Sequence, residues 1–449
     1  MSTAGPDAVS EAVAAFLYGY PLEYCLRELA RLPAGTASAM PGVTPLNTFG
    51  YAHDLLGPST HFVSPNNDTV YLMAPCDLTG GPLVLHVPDT AGRYYVLQFV
   101  DAWTNNFAYV GRRATGTEER RFLLVGPEDG DVDAGADLEV IQAPTNLLVI
   151  VGRLQVDGPD DLDAARNLAA GFTLHPLTPD SARTAAGLPE PDPRVPAELA
   201  FWEAFRVDLA ACPPPPQEAG RLDRLAQLGL TSVESPYVDP APELAQLLVQ
   251  AEDAGRKTIE DLMSGQPTSP TGWTTAMHIF DYNRYALGLG TLDTPAWRID
   301  DDTRAVAARA VAARAGLWGN HGYEAAYFLS FVDADGAPLD GAHQYTLRLP
   351  APPPVDAFWS LTMYGVPDFY LVDNPIDRYS IGDRTPGLVT ADDGSITLYL
   401  QSDRPVEDDA AANWLPTPSG RFRPIFRLYQ PRQPAIDGTY QLPPITRSV

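Results

Sequence analysis

Apolar positions first recur at helical spacing: Val13, Phe16, Leu17 and Tyr20 fall on one face of a helix predicted over residues 10–20. Pro21 is expected to stop or kink it, with residues 22–26 helical beyond the kink. From about Phe62 the period shortens to two. Strands are predicted over 68–74, 83–87, 93–100, 121–125 and 146–156, punctuated by Gly80-Gly81-Pro82, Pro88-Asp89, Ala91-Gly92 and Gly126-Pro127. The helical period returns near residue 158. Helices are expected over 160–170, 197–211, 242–263 and 303–317, with a proline-rich connector over 176–196. In 242–263, Leu244, Leu247, Leu248 and Ala251 share one face, and Asp300 to Asp302 favour a helix start electrostatically. Past Gly322 the strands resume. Residues 324–332 and 343–349, linked through Asp333-Ala-Asp-Gly336, are predicted as a hairpin, followed by strands over 357–364, 395–401 and 421–429. In the 395–401 strand Ser395, Thr397, Tyr399 and Gln401 alternate with Ile396, Leu398 and Leu400, as a half-buried antiparallel strand requires. The predicted fold is mainly β with a helical middle: two jelly-roll-like antiparallel β-sandwich or barrel domains. They cover residues 1–157, with a leading helix, and 323–449, and a helical region over 158–322 joins them.

Composition narrows the function classes. Among 449 residues, 57 Asp and Glu against 30 Lys and Arg leave a formal charge of −27, which repels phosphate backbones and anionic lipid. Neither nucleic acid nor membrane is expected as a partner; a small molecule is, and homo-oligomerisation is left open. Cys25, Cys76 and Cys212 are too scattered for a disulfide framework or zinc site and read as small buried apolar residues. No segment approaches the ~18 apolar residues of a membrane span. The stretch from Met1 to Val13 carries Asp7 and Glu11 without Lys or Arg, unlike a secretory signal, so a cytoplasmic protein is expected.

Three constellations could carry chemistry. Ser64-Pro-Asn-Asn-Asp-Thr-Val-Tyr71 reads either as an Asx turn opening a strand or as a site in which Asp68 is a general base. In the strand from Arg93, the residues Arg93, Tyr95, Leu97, Phe99 and Asp101 share a face opposite Tyr94, Val96, Gln98 and Val100, and Arg93, Tyr95 and Asp101 are its polar members. On a barrel interior they would supply a cation, a phenol and a carboxylate, and a buried Arg93 would call for Asp68 or Asp101 as partner. In the last third Ser360, Thr362 and Tyr364 alternate with Trp359, Leu361 and Met363, followed by Asn374, Arg378, Asn413, Trp414, Arg427 and Tyr429. Such residues bind sugars and carboxylates, and serve equally as locks between strands and loops. The seven histidines, at 53, 61, 86, 175, 278, 321 and 343, show no metal-ligand spacing, and no nucleophile elbow, Walker loop or dinucleotide fingerprint is present.

Asn47-Thr-Phe-Gly50, the Ser64 to Tyr71 motif, Asp77-Leu78, Gly92-Arg93-Tyr94-Tyr95 and Gly111-Arg112 together resemble the domain of unknown function 1254. Phe358 to Tyr364, Asn374, Arg378 to Gly382, Asp393-Gly394-Ser395, Asn413 to Pro416 and Arg427 to Pro431 resemble its C-terminal partner, domain 1214. The resemblance spans nearly the whole chain. It implies two jelly-roll-like β domains with helices between, and no settled activity. Many relatives look exported, whereas the missing leader here suggests an intracellular role in specialised metabolism.

These observations predict an enzyme: a lyase, cyclase, isomerase or hydrolase acting on a small, partly apolar metabolite without an organic cofactor. Asp68 or Asp101 would be the base, Tyr71 or Tyr95 the proton donor and Arg93 the anion holder. Asn66, Asn67, Gln98, Asn105, Tyr364 and Arg378 would contact substrate. No metal site is expected. The alternatives are a binding protein for a glycan or other small ligand, with exposed aromatic platforms, and a metal-dependent enzyme.

Overall fold

A helix of 25 residues, α1 (Pro6–Ala30), runs through Pro21 rather than ending there. The proline forfeits one helical hydrogen bond and crowds the preceding turn, a cost of ~3 kcal/mol. Burial outweighs it: Phe16, Leu22, Leu26 and Leu29 are each at most 3% exposed, because the helix is wrapped by others on several sides. The computed structural model describes residues 6–38, 40, 42–60, 63–130, 132, 134–135, 137–177, 184–264 and 269–448. Residues 1–5, His61, Phe62 and residues 178–183 of the proline-rich connector lie outside the described residues.

The N-terminal unit contributes β1 (Gly50–Tyr51), β2 (Thr69–Asp77), β3 (Leu83–Val87), β4 (Tyr95–Asp101), β5 (Asn106–Gly111), β6 (Arg120–Val125), β7 (Glu139–Gln142) and β8 (Leu147–Gln155). After the short helix α2 (Leu162–Ala169) comes β9 (Thr173–Pro176), which pairs with β3 and carries the unit past residue 157. The sheets β1-β2-β8-β4-β5 and β7-β6-β3-β9 enclose a core that holds Leu72, Leu97 and Ile150 from one and Leu85, Phe122 and Leu124 from the other.

The middle supplies α3 (Ala200–Ala211), α4 (Leu222–Gln227), α5 (Pro242–Ser264) and α6 (Asp302–Gly316), the last capped by Asp301, whose carboxylate accepts from the Arg304 N–H at 2.7 Å. The C-terminal unit comprises β10 (Trp273–Thr275), β11 (Ala325–Ser330), β12 (Tyr345–Leu349), β13 (Trp359–Gly365), β14 (Ser380–Gly382), β15 (Ile396–Gln401), β16 (Trp414–Pro416), β17 (Phe422–Tyr429) and β18 (Thr446–Arg447). Its sheets are β10-β11-β17-β13-β14 and β16-β15-β12-β18, so β10 recruits part of the expected helical region.

Two features differ from expectation. The sheets are open, not closed into barrels, and β6–β7 and β15–β16 are parallel pairs in an otherwise antiparallel set. The predicted hairpin does not form: β11 pairs with β10 and β17, and β12 with β15 and β18. The Asp333 turn is present, its carboxylate accepting from the Asp335 and Ala337 N–H groups. Yet Phe328 and Leu347 meet in one core from opposing sheets, which buries both faces at once.

A third core joins everything. Tyr71, Met73, Val149 and Val151 on the outer face of the N-terminal sheet meet α1, α3, α5 and α6, and Tyr364 and Ile425 from the C-terminal sheet complete it. The helices approach closely at glycine. A Cβ on Gly19 would lie 2.3 Å from the Phe205 ring of α3, and one on Gly255 of α5 would lie 2.2 Å from the Phe16 ring. Among the described residues no helix is long and apolar enough to cross a membrane.

Gly255→Ala is therefore expected to destabilise by about 1–2 kcal/mol in urea denaturation, its overpacking exceeding the ~1 kcal/mol gain in helix propensity. Gly220→Ala, where nothing lies within 4 Å, is the control and should cost nothing.

Candidate functional site

The alternation read for β4 is present, but its two faces have the opposite character from that expected. Tyr95, Leu97 and Phe99 point into the apolar sandwich core, and Gln98 on the other face donates to the Gly319 carbonyl in the segment after α6. Arg93 takes neither Asp68 nor Asp101: it forks onto Asp161, donating from Nη2 at 2.7 Å and from Nη1 as well, and also binds the Gln155 carbonyl. This corrects the predicted cation–phenol–carboxylate cavity. Arg93 clamps the start of α2, and Tyr95 packs beside Phe172. Asp101 closes the turn after β4, where its carboxylate accepts from the N–H of Asn105 at 2.8 Å and from its side-chain amide at 2.9 Å. Asn105 in turn accepts from Arg309 at 2.9 Å. Burial pushes the Asp101 carboxyl up to about 6 despite the Asn105 hydrogen bonds.

The other predicted residues gather in a polar seam between the two β units. Asp68 accepts from Ser360 at 2.6 Å, Tyr429 at 3.0 Å and Arg384 at 3.2 Å, all from the C-terminal unit. The Asn66 carbonyl oxygen accepts from the Asp68 and Thr69 N–H groups, and its amide donates to the Tyr71 hydroxyl at 2.9 Å. Asn67 donates to the Leu56 carbonyl and accepts from Ser380. Arg427 donates to Thr362 at 2.8 Å, to the Ser64 carbonyl at 2.9 Å and to Tyr364 at 2.7 Å, while Tyr364 donates to the Pro65 carbonyl. On the facing sheet Arg153 donates to Gln98 at 2.8 Å and the Trp318 carbonyl at 2.9 Å, its guanidinium lying over the Tyr71 ring. Arg378 stands apart, tying the Ala412 and Trp414 carbonyls together. The seam is a lock: its carboxylate and hydroxyls already have partners.

A different place combines room with unmet polar groups. Glu23, Leu26, Arg27 and Ala30 recur at helical spacing on α1, as do Ala200, Glu203, Ala204 and Asp208 on α3. Together with the connector around Pro189, Pro191 and Pro193 they line a cavity of about 460 Å³. The small Ala200 and Ala204 leave the space. Glu203 is fully engaged, accepting from Arg206 (2.9 and 2.7 Å), Ser235 (2.6 Å) and the Asp192 N–H (3.1 Å). Burial opposes its charge, but these donors hold the carboxyl below its ordinary value. Further along the same helix, Asp208 receives no donor on its carboxyl among the described residues, and burial plus the nearby Glu23 charge raise it well above the carboxylate range. Glu23 accepts from Arg27 at 2.7 Å on one oxygen, and its other oxygen is buried without a partner. Burial raises this carboxyl too, with Arg27 only partly opposing. Neither residue belongs to a recognisable motif. Their signal in the sequence is an acid on the same stretch as Leu22 and Leu26, and another between Phe205 and Leu209, where the helix faces the core.

The features expected of other functions take other forms. All seven tryptophans are buried, at most 7% exposed, so none is a stacking platform for sugars. Among the described residues no three His, Cys, Asp or Glu side chains are grouped to hold a metal. His321 is buried between Tyr109 and Tyr323, and burial lowers it to about 3. All three cysteines are free and buried.

Arg427→Met should cost about 3 kcal/mol in urea denaturation, since it strands buried oxygens on both sides of the seam. Asp101 makes a pH prediction. Its folded value lies above the ordinary one, so the folded chain keeps a proton that the unfolded chain releases. Stability relative to Asp101→Asn should therefore fall as pH rises from about 4 to about 6, by up to ~3 kcal/mol, in denaturation curves taken across that range.

Residues 46–176 match the family described as "Protein of unknown function (DUF1254)", and residues 324–433 match "Protein of unknown function (DUF1214)". No curated protein matches in sequence. Among solved structures, the VPA0106 protein from Vibrio parahaemolyticus is 25% identical, superposes with a TM-score of 0.71, and is covered over 100% of its length by 98% of this chain. An uncharacterised protein from Burkholderia cenocepacia is 11% identical with a TM-score of 0.44, over 95% of this chain and 92% of that one. The first match covers the β units and the helical layer alike, and the two family matches coincide with the two β units in the expected order. The chain belongs to the two-domain family in which a DUF1254 unit precedes a DUF1214 unit.

Proposed function

We propose that this protein is an enzyme whose own carboxyl groups perform acid–base chemistry on a small, partly apolar metabolite, in the pocket between α1 and α3. The observation that carries this is the pair Glu23 and Asp208: two buried carboxyls, both raised, one without any donor, on the wall of a cavity large enough for a small ligand. A carboxyl that burial raises above its ordinary value is better suited to general acid–base catalysis, typically worth about 10²–10⁴ in rate. Leu26, Ala30 and the prolines supply an apolar wall for the substrate body. The reaction classes that need only such groups are lyase, cyclase, isomerase and hydrolase chemistry. A cytoplasmic role in specialised metabolism belongs to the same reading, supported by three free thiols, the pattern of a reducing compartment. Asp68, Asp101, Tyr71, Tyr95 and Arg93 serve in this reading as structural locks.

The test is a metabolite library incubated with wild type, Asp208→Asn, Glu23→Gln and Asp68→Asn, read by mass spectrometry below each variant's melting temperature. Consumption of one compound by wild type should fall about a hundredfold or more in both pocket variants and persist in Asp68→Asn. Turnover that survives both pocket changes and vanishes in Asp68→Asn would move the chemistry to the seam.

A further inference from the structure

Resting on that reading of the pocket, we infer that its ligand carries an alkylammonium group, which docks on Asp208 and Glu23 while its hydrocarbon body lies against the apolar wall. The argument is a count of donors and acceptors. The Asp208 carboxyl is 94% buried by residue, since only 6% is exposed, and no protein donor reaches it among the described residues. One Glu23 oxygen is fully buried and unpartnered. Buried acceptors without donors are costly, and water or a ligand must bring the missing hydrogens. An ammonium group brings three donors and no acceptor, and its positive charge favours the ionised form of an acid that burial otherwise keeps protonated.

Other ligand classes fit less well. A carboxylate or phosphate would add negative charge and no donor. Arg27 is the cation on this wall, and it is committed to Glu23 at 2.7 Å and to the Tyr24 ring at 4.9 Å. An alcohol brings one donor and leaves the charge uncompensated. The formal charge of −27 also draws cations toward the molecule and repels anions.

The charged surroundings give the proposal a pH signature. Facing Asp208 are Glu23, Arg27 and the Cys25 thiol from α1, Glu203 from its own helix, the Cys212 thiol just beyond that helix and Asp192 from the connector, and Arg256 and Glu252 of α5 act on Glu23 from behind. Glu203 is held charged by Arg206, and Asp192 by Arg194. The free pocket therefore keeps a proton on Asp208, held there by burial. An ammonium group that binds the ionised form releases this proton, so affinity rises with pH for as long as the amine stays protonated.

The experiment is calorimetric titration of the full chain with n-pentylamine and, separately, with n-pentanol. Wild type should bind the amine and not the alcohol. Its association constant should rise with pH while the amine stays protonated. Asp208→Asn keeps the shape and neutrality of the protonated acid and should remain folded by circular dichroism while losing at least ten-fold in affinity. Glu23→Gln is a second variant with the same expectation. Equal binding of alcohol and amine, binding that does not change with pH, or unchanged affinity in both folded variants would each overturn the inference. Its failure is separable from that of the catalytic reading. Turnover lost in Asp208→Asn with no amine binding leaves catalysis standing and removes the ammonium. Amine binding at Asp208 with turnover unaffected does the reverse.

Discussion

A buried guanidinium that no carboxylate reaches directly must take its hydrogen-bond partners from neutral oxygens, and Arg427 finds them on both sides of the boundary between the β units. It is 3% exposed and spends its donors on Thr362 and Tyr364 of its own sheet and on the Ser64 carbonyl of the other unit. Ser64 sits at φ +56°, a left-handed conformation costly for a residue other than glycine, and its hydroxyl also accepts from Arg423. That strain is sustained because two arginines use the turn. Asp68, a few residues on, is gripped by Ser360, Tyr429 and Arg384. Any other docking of the two units would bury these groups without their partners, so the network fixes one relative placement more sharply than apolar contact alone could.

The helical layer depends on that placement. Its core includes Tyr71 and Val151 from one sheet and Tyr364 and Ile425 from the other, so α1 lies against a surface that exists only once the sheets are docked. Glycines then let α3 and α5 close on α1 from two sides. Where α3 turns Ala200 and Ala204 toward α1, no bulk fills the gap, and the pocket is what remains. Seam and pocket are thus linked as cause and consequence. The polar interactions that look catalytic in the sequence hold up the wall against which an apolar-lined cavity forms.

Much of the fold was readable because strand and helix periods are local. The central strands β2, β4, β8 and β17 and the helices α3, α5 and α6 fall close to their predicted bounds. What escaped was non-local. Pro21 stays helical because of packing from distant helices, and β11 and β12 part company because Phe328 and Leu347 are both needed in one core. The short edge strands β7, β14, β16 and β18 carry too few residues to show a period. The site was less legible for the same reason. Asp68 and Tyr71 were visible as a polar motif, but their role depends on Ser360, Arg384 and Tyr429, nearly three hundred residues or more downstream. Arg93 was assigned a distant carboxylate when the nearer one in the fold was Asp161.

Glu203 and Asp208 show how finely the pocket distinguishes between two acids on one helix. Both are largely buried, and burial alone would neutralise each. Four donors meet Glu203, which stays charged and serves to pin Arg206 and the connector at Asp192. None meets Asp208. A protein that needed only to tolerate a buried polar group at this position could have used the alanine that lines the same face at Ala204, and a structural acid would have been given partners as Glu203 was. An unsatisfied carboxyl raises the energy of the empty pocket and lowers it only when something with donors arrives. That asymmetry supports the proposed binding role of Asp208, which lines the cavity between the helices.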